Sequence, residues 1–261
     1  MINKFFLNRK IITEVYFQNL KGEFPLPFYP FVKFYLFFLG PPLPFKHLRT
    51  AKILKMSDRV NFKSFLDLGC GVGDIAMLLA LRFNNAKVEA VDIDKKKIKL
   101  AEKVGQKNKI RANFKTANLE KLFLIKKKYG GIICSNIAAH LKNDWRLMGN
   151  FRNMLKDKGY LIFCEDVDTR RIISKEKEKE VGHFRNGYNF RKLVLSLKKE
   201  GFDILEYHFL DTRDICNKYF YKFNGFSRLI FFPLFMFFLK ISEIKKGNRP
   251  NMVVILAKLK S

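Results

Sequence analysis

The run Phe65-Leu66-Asp67-Leu68-Gly69-Cys70-Gly71-Val72-Gly73-Asp74 narrows the choice of fold more than any other part of the chain. An apolar stretch of strand character ends in glycines at alternate positions and passes straight into a helical pattern. Glycine in such a loop permits a tight turn and lets a ligand approach backbone that a Cβ would shield. The spacing is G-x-G-x-G, and Asp74 stands where a G-x-G-x-x-G dinucleotide loop has its third glycine. A carboxylate at a helix N-terminus opposes a pyrophosphate, so a ligand without a diphosphate fits this loop better. The next apolar run ends Val88-Glu89-Ala90-Val91-Asp92. That sets Asp92 about twenty residues beyond the loop, where an acid accepts hydrogen bonds from both ribose hydroxyls. Asp94 serves as the N-cap of the following helix and leaves Asp92 for a ligand.

From residue 62 to about 168, short β-branched or apolar runs alternate with longer amphipathic ones, the pattern of βα units feeding a parallel sheet. Strands are predicted at Ser64–Leu68, Lys87–Val91, Phe114–Ala117, Gly131–Ser135, Gly159–Cys164, Phe202–Phe209 and Met252–Leu259. Helices are predicted at Asp74–Phe83, after Asp94, at Asp144–Lys156 and at Asn189–Glu200, where Gly201 supplies a left-handed stop. The fold class is therefore α/β, a Rossmann-like doubly wound sheet. Residues 1–60 form an aromatic, proline-rich N-terminal arm and 61–261 the main domain, with an apolar insert over about 211–249.

The run LDLGCGVGD followed by AVDID resembles the class I S-adenosylmethionine (SAM)-dependent methyltransferases, and the resemblance extends from about Asn61 to Lys260. It implies about seven strands with the last one antiparallel, and SAM as the cofactor. It also implies that Asp67 and the loop Gly69, Cys70, Gly71 and Gly73 hold the methionine part, while Asp92 and Ile93 serve the nucleoside. The adenine contact falls on Asn118-Leu119, where asparagine replaces the usual aspartate and its carbonyl still accepts a hydrogen bond. Ser135 and Asn136 end the strand that flanks the reacting methyl, at the edge where open α/β sheets bind ligands. His140 is the candidate general base, needed only for an acceptor that must lose a proton; packing beneath the following helix is its alternative role. His183, Arg185 and Tyr188 resemble an acceptor-facing segment of small-molecule and lipid-modifying members, the alternative being that they hold their turn. The proline and aromatic signature of members that methylate nucleic-acid amino groups is absent from the sequence.

Two flanks lie outside the bare catalytic unit. Phe24 to Phe45 reads FPLPFYPFVKFYLFFLGPPLPF, and Leu229 to Leu239 is apolar for eleven residues, far below the span a bilayer requires. Either could be a core helix, an interfacial element beside anionic headgroups, or part of a lid over a greasy acceptor pocket. Both are expected above the carboxyl edge of the sheet. The formal charge of +27 points to an anionic partner, yet most of the 51 cations are lysines scattered along the chain. Nucleic acid is thus a weaker candidate partner than a membrane surface. The expected acceptor is a hydrophobic or membrane-derived small molecule. An RNA or protein methyltransferase and a non-catalytic SAM-fold scaffold are the rivals. Four cysteines without a CxxC pair and four histidines without ligand spacing suggest reduced thiols and no metal site. The first residues lack a long apolar run or a small-residue cleavage site, so no signal peptide is expected and the location is cytoplasmic, with peripheral membrane contact.

Overall fold

A computed structural model describes residues 2–20, 24–60, 63–124, 127–167, 187–210, 219–220, 222–244 and 252–260. Three helices form the arm: α1 (Ile2–Leu20), α2 (Tyr29–Phe38) and α3 (Pro44–Ser57). Pro30 and Pro44 lie in the first turns of α2 and α3, where a missing N–H costs no helical hydrogen bond. The main unit then runs β1 (Ser64–Leu68), α4 (Asp74–Arg82), β2 (Lys87–Asp92), α5 (Lys95–Lys107), β3 (Ala112–Thr116) and β4 (Tyr129–Ser135). It continues with α6 (Asp144–Met154), β5 (Leu155–Asp166), α7 (Phe190–Lys199), β6 (Phe202–Leu210), α8 (Gly225–Ile244) and β7 (Met252–Leu259).

The seven strands form one sheet in the order β3-β2-β1-β4-β5-β7-β6. Strands β1 to β5 pair in parallel, and β7 runs antiparallel between β5 and β6. This is the doubly wound sheet expected from the alternation of apolar and amphipathic runs. The order reverses at β1, so the loops after β1, β2 and β4 open at one carboxyl edge. Alternate residues of each strand feed opposite faces. Phe65, Ala90 and Ile133 join the layer of α4 and α5, whereas Leu66, Leu68 and Ile132 join the layer of α6 and α7.

The arm and the insert are placed differently from expectation. Their buried side chains, Ile11, Val15, Leu36, Ile53, Leu229 and Phe232 among them, belong to the same apolar cluster as α4 and α5. They lie on that face of the sheet more than over its edge, which the arm reaches through Tyr16 and Lys46 at Asp74. The arm meets the insert where the His47 ring lies 5.3 Å from that of Phe232. No helix among the described residues is long and apolar enough to cross a membrane. His183, Arg185, Cys216 and the KEKEKE run lie outside the described residues.

Candidate cofactor site at the carboxyl edge

Register brings the glycine loop and Asp92 together. Leu68, the last residue of β1, pairs with Val91 and with Cys134. The next two amides, of Gly69 and Cys70, donate to the Val91 carbonyl at 2.8 and 3.0 Å. That pulls the loop over the end of β2, where the Gly71 amide donates to Asp92 Oδ2 at 2.8 Å. Asp92 Oδ1 accepts from the Asp94 amide at 2.9 Å. A carboxylate has about four lone-pair directions, so two remain after the backbone is served. Asp94 caps α5 by accepting from the amides of Lys96 and Lys97, as expected.

The three glycines all have positive φ, but space treats them differently. A Cβ on Gly69 would stand 2.5 Å from Ile137, and one on Gly73 2.5 Å from the Phe114 ring and 3.0 Å from Ala101. Those two let the loop seat against the segment that follows β4 and let α4 close on β3 and α5. A Cβ on Gly71 would meet nothing within 4 Å. Backbone there borders open space, as an approaching ligand requires. The Cys70 thiol is buried, and burial pushes its pKa up, so it contributes shape and no thiolate.

Asp67 is 3% exposed, and its Oδ2 has no hydrogen-bond partner among the described residues. Burial first, then the charges of Asp74 and Asp92, push its pKa up to about 7. Glu165, at the end of β5, is also raised to about 7 by burial, although the backbone amides it accepts from pull the other way. Its Oε1 takes the Ile137 and Ala138 amides at 2.6 and 2.7 Å and so anchors the 3-10 turn Ala138–His140. His140 is half-buried on that turn. Ser135 and Asn136 lie just before it; Asn136 has φ 57, a conformation asparagine tolerates, and donates its amide to the Cys164 carbonyl at 2.8 Å.

The structure sets Asn118 in a turn: its side-chain oxygen accepts from the Glu120 amide at 2.9 Å, one of the two lone pairs a carboxamide oxygen has. Leu119 is buried beside it, while Ile93 is 65% exposed next to Asp92. Tyr188 is buried in the layer of α6 and α7 with its hydroxyl donating to Asp144, and its ring stands edge-on to Trp145 and Phe163. That bond ties the turn before α7 to the first residue of α6.

Three arm residues reach the edge without any sign in the sequence pattern. Tyr16 donates its hydroxyl to Asp74 Oδ2 at 2.8 Å, and Lys46 pairs with the same oxygen at 3.3 Å. Burial raises the Asp74 pKa, but Lys46, Tyr16 and Arg49 together outweigh it and hold the carboxyl below its usual range. The acid that opposes a diphosphate is thus the latch between arm and loop. The positive charge of Arg49 favours the ionised forms of Asp67, Asp74 and Glu165 alike, and its Nε is buried without a hydrogen-bond partner among the described residues. The partners lie too far apart in sequence for spacing to reveal them: Tyr16 is 58 residues from Asp74.

The space above Gly71, the two remaining directions on Asp92 and the unpartnered oxygen of Asp67 fit a nucleoside bearing an amino-acid tail. Comparison with known proteins agrees. A family model described as "Methyltransferase domain" matches residues 61–200. The ribosomal protein L11 methyltransferase of Thermotoga neapolitana is 30% identical over 148 residues, covering 55% of this chain and 50% of that protein. The ubiquinone biosynthesis O-methyltransferase of Rickettsia conorii is 30% identical over 121 residues, 46% of this chain and 41% of that one. The chain thus spans half or less of the length of these curated relatives. Phosphoethanolamine N-methyltransferase 2 of Haemonchus contortus, solved with S-adenosyl-L-methionine, shares the fold with a TM-score of 0.58 at 18% identity, over 82% of this chain and 53% of that one. With its glycine loop, the carboxylate at the end of β2 and the sheet order in place, the chain belongs to this methyltransferase-domain family, among the class I SAM-dependent methyltransferases.

Proposed function

We propose that the chain moves a methyl group from SAM to a hydrophobic small molecule taken up at an anionic membrane surface, working from the cytoplasm. The open space above Gly71, bounded by Asp92, is the observation that carries the methyl-transfer half of this reading. Asp92 offers its remaining lone pairs to the ribose hydroxyls, Ile93 an apolar side chain to the adenine, and Asn118 its second lone pair to the adenine amino group. Asp67 and the loop backbone take the amino-acid end. Bound there, SAM supplies a methyl already activated by a sulfonium. The chain's own task is to align the acceptor and exclude water. His140 takes the proton of a hydroxyl or amine acceptor, on a turn that Glu165 holds in place.

The aromatic flanks support the membrane half. Helix α2 buries Val32, Tyr35 and Leu36 while exposing Phe31, Phe34 and Phe38. Helix α8 buries Leu229 and Phe232 and exposes Ile230, Phe231, Leu234 and Phe237. A helix that is apolar all round with one side packed leaves the other for a second apolar phase. Lys33 and Lys222 are exposed nearby in sequence, and the +27 charge favours anionic headgroups.

Radiolabelled SAM incubated with the protein and fractionated lysate is expected to label the organic extract. A protein acceptor is the second reading, favoured by the likeness to a ribosomal-protein methyltransferase. Label confined to protein would establish it over the first reading, and label confined to RNA would overturn both. Flotation with phosphatidylcholine vesicles, with and without phosphatidylglycerol, tests the membrane half. A protein that stays at the bottom of the gradient in both cases does not dock on membranes.

A further inference from the structure

Strands β1 to β5 run in parallel, so residues that open different strands gather at one edge of the sheet, the edge away from the glycine loop. Lys87 opens β2, Arg111 precedes β3, Lys127 and Lys128 precede β4, and Lys156 is the second residue of β5. These cations line a groove of about 740 Å³, in which Glu89 is the carboxylate among the described residues. Glu89 is already answered: Lys127 pairs with it, and Lys115 Nζ stands 3.1 Å from its Oε1. Lys87, Arg111, Lys128 and Lys156 are exposed, and no described residue pairs with any of them. Register sets Lys87 and Glu89 on the face of Leu66 and Val91, in the layer of α6 and α7. The arm and the exposed aromatic stripes lie with the other layer. Tyr129 is the aromatic residue of the lining; it is buried, and Lys127 Nζ lies 5.0 Å from its ring centroid. The groove thus presents no ring among the described residues for a nucleic-acid base to stack on.

We propose that this groove binds a chain of three or more linked phosphates, free or as the triphosphate of a nucleotide. A terminal phosphate carries about two negative charges and each inner one about one, so three bring about four. Lys87, Arg111, Lys128 and Lys156 meet that charge one for one. A lone phosphate answers about half of it. The cations are also spread from β3 to β5, across strands about 4.8 Å apart, which suits an extended anion better than a compact one. Ammonium and guanidinium groups give phosphate oxygens charge-assisted hydrogen bonds. Asn84, Asn85 and Asn113 add carboxamides for further phosphate oxygens or for the sugar of a nucleotide. The inference stands on the amino edge of the sheet and not on methyl transfer, so either reading survives the failure of the other.

Calorimetric titration of the full chain with phosphate, tripolyphosphate and adenosine triphosphate tests it, with saturating S-adenosylhomocysteine to keep the nucleotide out of the glycine loop. Tripolyphosphate is expected to bind roughly tenfold or more tightly than phosphate. The double change Lys87→Glu with Arg111→Glu should weaken tripolyphosphate roughly tenfold or more, while Lys99→Glu with Lys103→Glu, an equal change of charge on α5, should weaken it less than about twofold. The melting temperature of each variant checks its folding. Adenosine triphosphate binding more tightly than tripolyphosphate would make a nucleotide the source of the chain, and equal affinities would make it the free anion. Equal loss in the two double variants would overturn the proposal, because net charge alone would then hold the probe. So would phosphate binding as tightly as tripolyphosphate, or an RNA oligonucleotide binding where tripolyphosphate gives no heat.

Discussion

Single atoms decide what the glycine loop does. Gly71 and Gly73 are indistinguishable in the motif, both with positive φ, yet a Cβ is free to enter open space at one and collides with Phe114 at the other. Gly71→Ala is therefore expected to cost only about 1–2 kcal/mol of stability for its left-handed backbone while weakening SAM binding roughly tenfold or more. Gly73→Ala should reverse the balance, losing more than about 2 kcal/mol in urea unfolding through strain and overpacking. Calorimetry with SAM beside urea titration separates the two. The carboxylates make a second prediction. Folding raises Asp67 from 3.8 and Glu165 from 4.5 to about 7, so the folded chain holds protons that the unfolded chain has released. Their contribution is fully present below the unfolded values and is lost as pH rises through 7. The melting temperature without SAM should fall between about pH 5 and about pH 8, and Asp67→Asn should flatten that decline. Asp74, shifted downward, acts in the opposite sense below pH 4 and leaves this window alone. Asp92 was legible because strand, loop and acid lie within one local unit. The partners of Asp74 were not, since a hydrogen bond between residues 16 and 74 leaves no trace in spacing.

Elements of regular period were legible for the same reason that they are stable. Strands Ser64–Leu68 and Met252–Leu259 fall where their apolar runs place them, and Asn189 caps α7 before Gly201 ends it with φ +88. The arm was not legible as helices, because its apolar residues run round the whole circumference and give no single face to read. Besides the apolar cluster it shares with the main unit, Tyr16 and Lys46 tie it to Asp74. Removing one of them, by Tyr16→Phe, leaves Asp74 buried with one partner fewer and should cost about 1–3 kcal/mol in urea unfolding. The exposed stripe of α2 and that of α8 should behave differently. Phe34→Glu and Phe237→Glu, at side chains more than half exposed, should leave the melting temperature within about 2 °C. The same changes should reduce flotation with anionic vesicles.

At the scale of the molecule, charge and apolar surface act together. A chain of +27 that also exposes rows of phenylalanine should bind anionic vesicles in a salt-sensitive way. Affinity should drop several-fold between about 0.05 and about 0.5 M salt while a residual apolar component persists. Sedimentation across a salt series measures both, and affinity independent of salt would remove the electrostatic share. Helix α1 packs on α2 and on both α4 and α5, so the arm and the unit that carries the glycine loop share one apolar interior. A single backbone cut between α3 and β1 should therefore leave two pieces that elute together in gel filtration and part only in denaturant.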